Sequence, residues 1–213
     1  MILTTFVNFQ LLLFITTLTI YNYHSECGSI EKNSYCVIGD DNMNIRLVIP
    51  TKEYEEKAID FKNEFILNGE NVINGSEMLD NIEEYDIWLA SVTNNARRET
   101  VNPDWVLTDT FFAVDDNDKI IGIIDLRHEL KGFLIDFGNS GYSVRPSERK
   151  KGYATKMLYL LVEYAKKSNI KSLQLSVEKT NEPSVKTIIK NGGVYERSFE
   201  FEGEQADVYR IMC

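Results

Sequence analysis

From Asn44 onwards, apolar residues alternate or recur along this chain in a succession of short periodic segments. Asn44–Ile49 alternates as a strand and stops at Pro50, after which Thr51 is placed to cap a helix. Tyr54, Ala58, Phe61 and Phe65 fall at helical spacing, and Asn68-Gly69 ends that helix. A second helical pattern is predicted over 77–92, with Met78, Leu79, Ile82, Tyr85 and Leu89 on its apolar side. Thr108–Val114 and Lys119–Leu126 read as a hairpin around Asp115-Asp116-Asn117-Asp118. Gly138–Val144 is a further strand. Gly152–Ser168 is an amphipathic helix carrying Met157, Leu158, Leu161, Tyr164 and Ala165. Ser172–Val177 alternates again, and Asn181–Asn191 is a short helix closed by Gly192-Gly193. Val194–Phe201 and Asp207–Met212 end the chain as two strands.

This order of elements predicts an α+β fold: a mixed sheet with helices on both faces. The strand–helix–strand unit at 138–177 is expected to be a right-handed crossover between parallel strands.

Residues 1–42 stand apart, so the folded domain is read as 43–213. Met1–Ser25 carries no charge, and Leu11–Ile15 is strongly apolar. A bilayer-spanning helix needs about 20 apolar residues, and Asn8, Gln10 and several threonines dilute this one. No Lys or Arg precedes it, as a signal peptide would require. Three readings stay open: translation starting at Met43, a membrane anchor, or a cleaved leader.

The 213 residues are 43% hydrophobic, enough for one core-forming domain plus an extension. A net charge of -10 argues against nucleic acid as a partner. Cys27, Cys36 and Cys213 make no disulfide framework, and with only His24 and His128 no metal-ligand spacing arises. No metal is expected.

Against that acidic background Arg149-Lys150-Lys151-Gly152-Tyr153-Ala154 is conspicuous. Three cations followed by Gly-x-Ala open a helix. A helix start offers unpaired N–H groups and the positive end of the dipole, so it receives anions. Gly152 permits close backbone approach. The spacing predicts a pyrophosphate site.

Arg149-x-x-Gly152-x-Ala154, after a strand ending Val144-Arg145-Pro146, resembles the acetyl-CoA signature of the GNAT acyltransferase superfamily, Arg/Gln-x-x-Gly-x-Gly/Ala. Leu126–Leu130 and Gly141–Pro146 look like a bacterial branch of acetyltransferases. The resemblance spans Asn44 to the C-terminus. It implies a largely antiparallel central sheet of six to seven strands with helices on both faces, splayed between 138–144 and 172–177 to form an acetyl-CoA cleft. The pantetheine arm would bond the backbone near Tyr142, Ser143 and Val144. The pyrophosphate would sit on the N–H groups of Lys150, Lys151, Gly152, Tyr153 and Ala154, with Arg149 helping and Asn181 reaching the same ligand.

The implied reaction is direct attack of an amine on the thioester. A lysine-like ammonium, with a pKa near 10.4, must first lose a proton. Glu129 and His128 are the candidate bases, with Asp136 and Glu178 behind them. A strand N–H at about Val144 would hold the oxyanion. Trp88 and Trp105 are candidates to line an acceptor pocket. Many relatives protonate the departing thiolate from a tyrosine on the last helix; here Ile188 stands at that position, with Tyr142 and Tyr153 as substitutes.

The expected function is acetyl-CoA-dependent N-acetylation of a primary amine on a small molecule or peptide. The alternative is a catalytically silent acyl-CoA-binding or sensing module. A cytoplasmic enzyme is expected, with membrane anchoring through residues 1–25 as the alternative and a homodimer left open.

Overall fold

The computed structural model describes residues 44–81 and 83–213; the extension over 1–42 lies outside them. Two antiparallel sheets carry the fold. The first has four strands in the order β1 (Arg46–Val48), β2 (Thr108–Val114), β3 (Ile120–Arg127) and β4 (Tyr142–Val144). The second has three, in the order β5 (Ser172–Glu178), β7 (Glu204–Met212) and β6 (Val194–Phe201).

Every position of β3 is buried, because helices cover both faces of its sheet. On one face, Phe61 and Phe65 of α1 (Glu55–Leu67) and Trp88 and Val92 of α2 (Tyr85–Asn95) pack on Phe112, Val114 and Ile123. On the other, Met157, Leu158 and Leu161 of α4 (Tyr153–Lys167) pack on Phe111, Ile121 and Ile124. That second core continues into Leu173 and Leu175 of β5 and Ile188 of α5 (Glu182–Lys190).

Three expectations need correction. Thr51 precedes a 3-10 turn, Lys52–Tyr54, but its side chain caps nothing. The helix expected over 77–92 begins only at Tyr85. Before it the chain runs through turns with Glu77 and Met78 both left-handed, at φ 49° and 69°, which a right-handed helix forbids. Tertiary contact overrides the periodicity there: at Gly75 (φ 75°) a Cβ would fall 2.1 Å from Gly141 O. Finally, the expected strand 138–144 is shorter: a helical turn, α3 (Leu134–Phe137), precedes it, Gly138 forms an isolated bridge, and the strand itself, β4, is only Tyr142–Val144.

β4 and β5 do not pair, as the expected splay requires. The two strands lie in different sheets and touch only below β4, where Gly138 bridges Leu175 in antiparallel sense. Gly138 (φ 84°) lies so close that a Cβ would meet Gln174 O at 2.4 Å. Asn139 fastens this junction. Its N–H donates to Gln174 O (2.7 Å), its Oδ1 accepts from Gln174 N (2.8 Å), and its Nδ2 donates to Arg127 O (2.8 Å). The side chain takes the N–H that a continuing ladder would have used, and beyond it the strands splay.

Removing this buried amide strands two partners, each costing about 1–3 kcal/mol. Asn139→Ala is therefore expected to lower stability by roughly 3 kcal/mol in urea unfolding, with the m-value unchanged.

Candidate functional site

Splaying leaves β4 as a sheet edge facing a cleft. Gly141 O accepts from Asp125 N and Arg145 N donates to Ile121 O, so odd-numbered residues here bond β3. Antiparallel ladders alternate sides, which turns the N–H and C=O of Tyr142 and Val144 outward. Val144 O accepts from Arg149 Nε at 3.1 Å.

A cavity of about 240 Å³ lies in the cleft. Its wall comes from the 72–81 loop, Arg127, Ser140–Tyr142, the Leu175–Glu178 end of β5, and Asn181, Ser184 and Ile188. Ile188 is 1% exposed, so an aliphatic wall stands where a phenol was sought. Asn181 caps α5, accepting from Ser184 N at 3.2 Å. Tyr142 shows its ring to the same cavity. Its hydroxyl is buried without a hydrogen-bond partner, and burial raises its pKa.

The predicted anion loop lies at the surface at the start of α4. Gly152 holds φ 92° and Lys150 φ 64°. Among the described residues, no acceptor takes the N–H of Lys150, Lys151 or Gly152. The cations are mostly spoken for. Arg149 makes a two-pronged bond to Glu70 (2.6 and 2.7 Å), Lys151 pairs with Glu148 (2.7 Å), and Arg145 bonds Asp60 and Glu64 (2.8 Å each). The Arg149 side chain is thus occupied as a brace to Glu70, just past α1, and what the turn leaves unpaired is main-chain N–H. Tyr153 packs against the core.

His128 and Glu129 do not reach the cavity. One residue past β3 the chain turns to bond His128 N to Leu107 O, and His128 Nε2 sits 2.7 Å from Asp109 Oδ2. The same carboxylate accepts from Tyr164 OH at 3.0 Å, away from the cleft. Glu129 is exposed. Asp136 pairs with Arg197 on the surface (2.8 Å), whereas Glu178 does line the cavity. Trp88 is core, donating Nε1 to Ser76 O at 2.7 Å, and Trp105 packs on Phe133.

Glu77 and Asp80 are further carboxylates of the cavity wall. The Glu77 carboxyl is buried beside Asn95, Trp105 and Asp125. Burial, then the neighbouring Asp125, push its pKa up to about 7. Asp125 is fully buried on β3, ion-paired to Arg127 at 2.7 Å, and accepts from Gly141 N at 2.5 Å. Burial raises Asp125 too, but Arg127 and the Gly141 amide oppose that. The two carboxyls lie against one another and titrate as a coupled pair. Nothing local in the sequence marks Glu77. The available signal was Asp125, a charge inside the apolar run Ile120–Leu126.

The Acetyltransferase (GNAT) family model matches residues 79–192, over half of the chain, and the protein belongs to that family. GNAT enzymes use acetyl-CoA as acetyl donor. Solved structures share the fold at low identity. The microcin C7 self-immunity acetyltransferase MccE, in complex with acetyl-CoA and AMP, is 15% identical with a TM-score of 0.60, covering 81% of this chain and 94% of its own. RimL, the ribosomal L7/L12 alpha-N-protein acetyltransferase in complex with coenzyme A, is 12% identical at 0.60, covering 82% and 97%. Mutant forms of the spermidine/spermine N-acetyltransferase SpeG from Vibrio cholerae are 16% identical at 0.55, covering 79% and 93%. A search of the curated proteins finds no significant match. Among the described residues, no helix is long and apolar enough to cross a membrane, and no group of three or more His, Cys, Asp or Glu is placed to hold a metal ion.

A raised carboxyl pKa costs stability as the group ionises: the contribution is present below the usual 4.5 and lost as pH climbs through about 7. Glu77→Gln is expected to gain thermal midpoint over wild type between pH 5 and pH 8, by a few degrees at pH 8 in scanning calorimetry.

Proposed function

We propose that this protein is an acetyl-CoA-dependent N-acetyltransferase whose acceptor is a primary amine of a small molecule or peptide. The observation that carries this is the outward edge of β4 running between the 240 Å³ cavity and the free amides of Lys150, Lys151 and Gly152 before α4. Those features fit the parts of acetyl-CoA in order. The amides of Lys150, Lys151, Gly152, Tyr153 and Ala154 would take the pyrophosphate on a helix N-terminus. The backbone of Tyr142, Ser143 and Val144 would add the pantetheine amides as if they were a further strand, and Asn181 borders the same path. Val144 N–H would donate to the thioester carbonyl as charge builds on its oxygen.

Acid carboxylates dominate the cavity wall. Glu77, Asp80 and Glu178 outnumber Arg127 there, which suits a cationic acceptor. The relatives named above act on a polyamine and on a protein N-terminus, and both are amines. Tyr142, with its buried free hydroxyl, is the candidate to return a proton to the departing thiolate in place of Ile188. A thiol's ordinary pKa of about 8.5 makes that a modest demand. Ile188 also supports a second reading, a CoA-binding module without turnover.

Isothermal titration is expected to show acetyl-CoA binding in the micromolar range. Gly152→Glu, which puts a side chain and a negative charge where φ is 92°, is expected to weaken binding at least about 100-fold. Absence of binding by the wild-type protein overturns the proposal. Mass spectrometry of a primary-amine panel incubated with acetyl-CoA separates the readings: an acetylated amine establishes the transferase, and binding without any acetylated product establishes the silent module.

A further inference from the structure

The segment between β3 and β4 gives the cavity an aromatic side. Phe133, Leu134 and Phe137 all line it. Leu134 is 2% exposed and packs in a small core with Trp105 and Val106, whereas Phe133 and Phe137 are only half-buried. Their rings belong to a run of edge and tilted contacts. Trp105 meets Phe133 at 5.9 Å, Phe133 meets Phe137 at 5.8 Å, and Phe137 meets Phe201 and Phe199 of β6 at 5.1 and 5.9 Å.

The backbone that carries these rings is tied down. Ile135 O accepts from Gln174 Nε2 (2.6 Å) and Arg197 Nη2 (2.9 Å), Phe137 O accepts from Ser176 Oγ (3.0 Å), and Asp136 pairs with Arg197 (2.8 Å). The anchors come from β5 and β6, and they leave two phenyl rings at the wall of a cavity. Large apolar side chains ordinarily finish in a core. Rings fixed at a cavity wall by anchored backbone are instead a preorganised contact for apolar matter. Met78, half-buried in the 72–81 loop, adds a thioether to the same wall, a group that adapts well to aromatic surfaces.

The charges of the wall are fewer than its composition suggests. The Glu77 carboxyl is buried beside Asp125, and Arg127 is paired to Asp125. Asp80 and Glu178, both half-buried, remain to face an ammonium group. Further ammonium groups on the same ligand would shed their hydration against phenyl rings, which is costly. A hydrocarbon body gains from that burial. The cavity, at about 240 Å³, is also smaller than the roughly 300–1,000 Å³ that drug-sized ligands fill.

We propose that Phe133 and Phe137 select the body of the acceptor: the cavity takes a single ammonium group carried on an apolar, ring-sized body, and it disfavours polycations. This rests on the transferase reading above and narrows the amine class within it.

The test uses the full chain with acetyl-CoA and the amines ethylamine, phenethylamine and spermidine. Phenethylamine is expected to exceed each of the others at least about 100-fold in kcat/KM, since one methylene in an apolar pocket already discriminates about tenfold or more. Phe133→Ala and Phe137→Ala are each expected to cut the phenethylamine-to-ethylamine ratio about tenfold. A ratio cancels any general loss of folding or of cofactor binding, which a merely structural role would produce. A second readout needs no turnover: calorimetry of the protein saturated with coenzyme A is expected to detect phenethylamine at millimolar concentration and to detect no spermidine. Acetylation that favours spermidine or ethylamine, or variants that leave the ratio unchanged, overturns the inference and leaves the transferase reading standing. Phenethylamine that binds while no amine is acetylated supports the selection and overturns the transferase reading. Neither binding nor acetylation overturns both. If the variants do not fold, the wild-type ratio decides, and a value within about threefold of unity overturns the inference.

Discussion

Asn139 joins two sheets that would otherwise either fuse or part. Its main chain and side chain together bond Gln174 of β5 and Arg127 of β3. Gln174 Nε2 adds a bond to Ile135 O (2.6 Å), and Ser176 Oγ adds one to Phe137 O (3.0 Å). All these contacts lie at one end of the cleft. A sheet edge with free N–H and C=O groups is ordinarily a hazard. Pinning the strands at one end only keeps β4 open for a length suited to a ligand, while the buried faces of both sheets stay covered by α1, α2 and α4. The cleft is thus a consequence of hydrogen bonds placed at its base.

The same economy governs charge. Arg149 reads in the sequence as a ligand-binding cation, yet it holds the turn against Glu70, as Arg145 does against Asp60 and Glu64 of α1. Arg149 also lies over the Phe65 ring, 5.4 Å from its centroid. What they stabilise is the shape of the turn, which presents main-chain amides outward. In the cavity, too, the buried ion pair Asp125–Arg127 does not add a free charge. It lies against the Glu77 carboxyl and is coupled to its titration.

Much of the fold was legible because it follows from side-chain periodicity. The limits of β2 and β6 agree with the pattern, and α4 starts and ends within a residue of it. The sequence failed where two distant backbones meet. Met78, Leu79, Tyr85 and Leu89 keep helical spacing, but Gly75 against Gly141 turns the chain into the left-handed region before a helix can begin. The turn at Arg149–Ala154 was legible because its pattern is local to a few consecutive residues. The carboxyls of the cavity were not. His128 and Glu129 stood at a strand end near the expected cleft, and only the bond from His128 N to Leu107 O shows that the chain has already turned aside. Glu77 gains its character from Asp125 and Arg127, nearly fifty residues away in sequence.

The pairing of the turn's cations with Glu70, Glu148 and Glu64 has a kinetic corollary. A protein carrying a net charge of -10 offers little long-range attraction to a polyanion once its local positive charges are cancelled. Encounter with coenzyme A is then slowed by mutual repulsion, and added electrolyte speeds it by shortening the Debye length. Capture relies on short-range fit to a turn already ordered, so little motional freedom is forfeited when the ligand arrives.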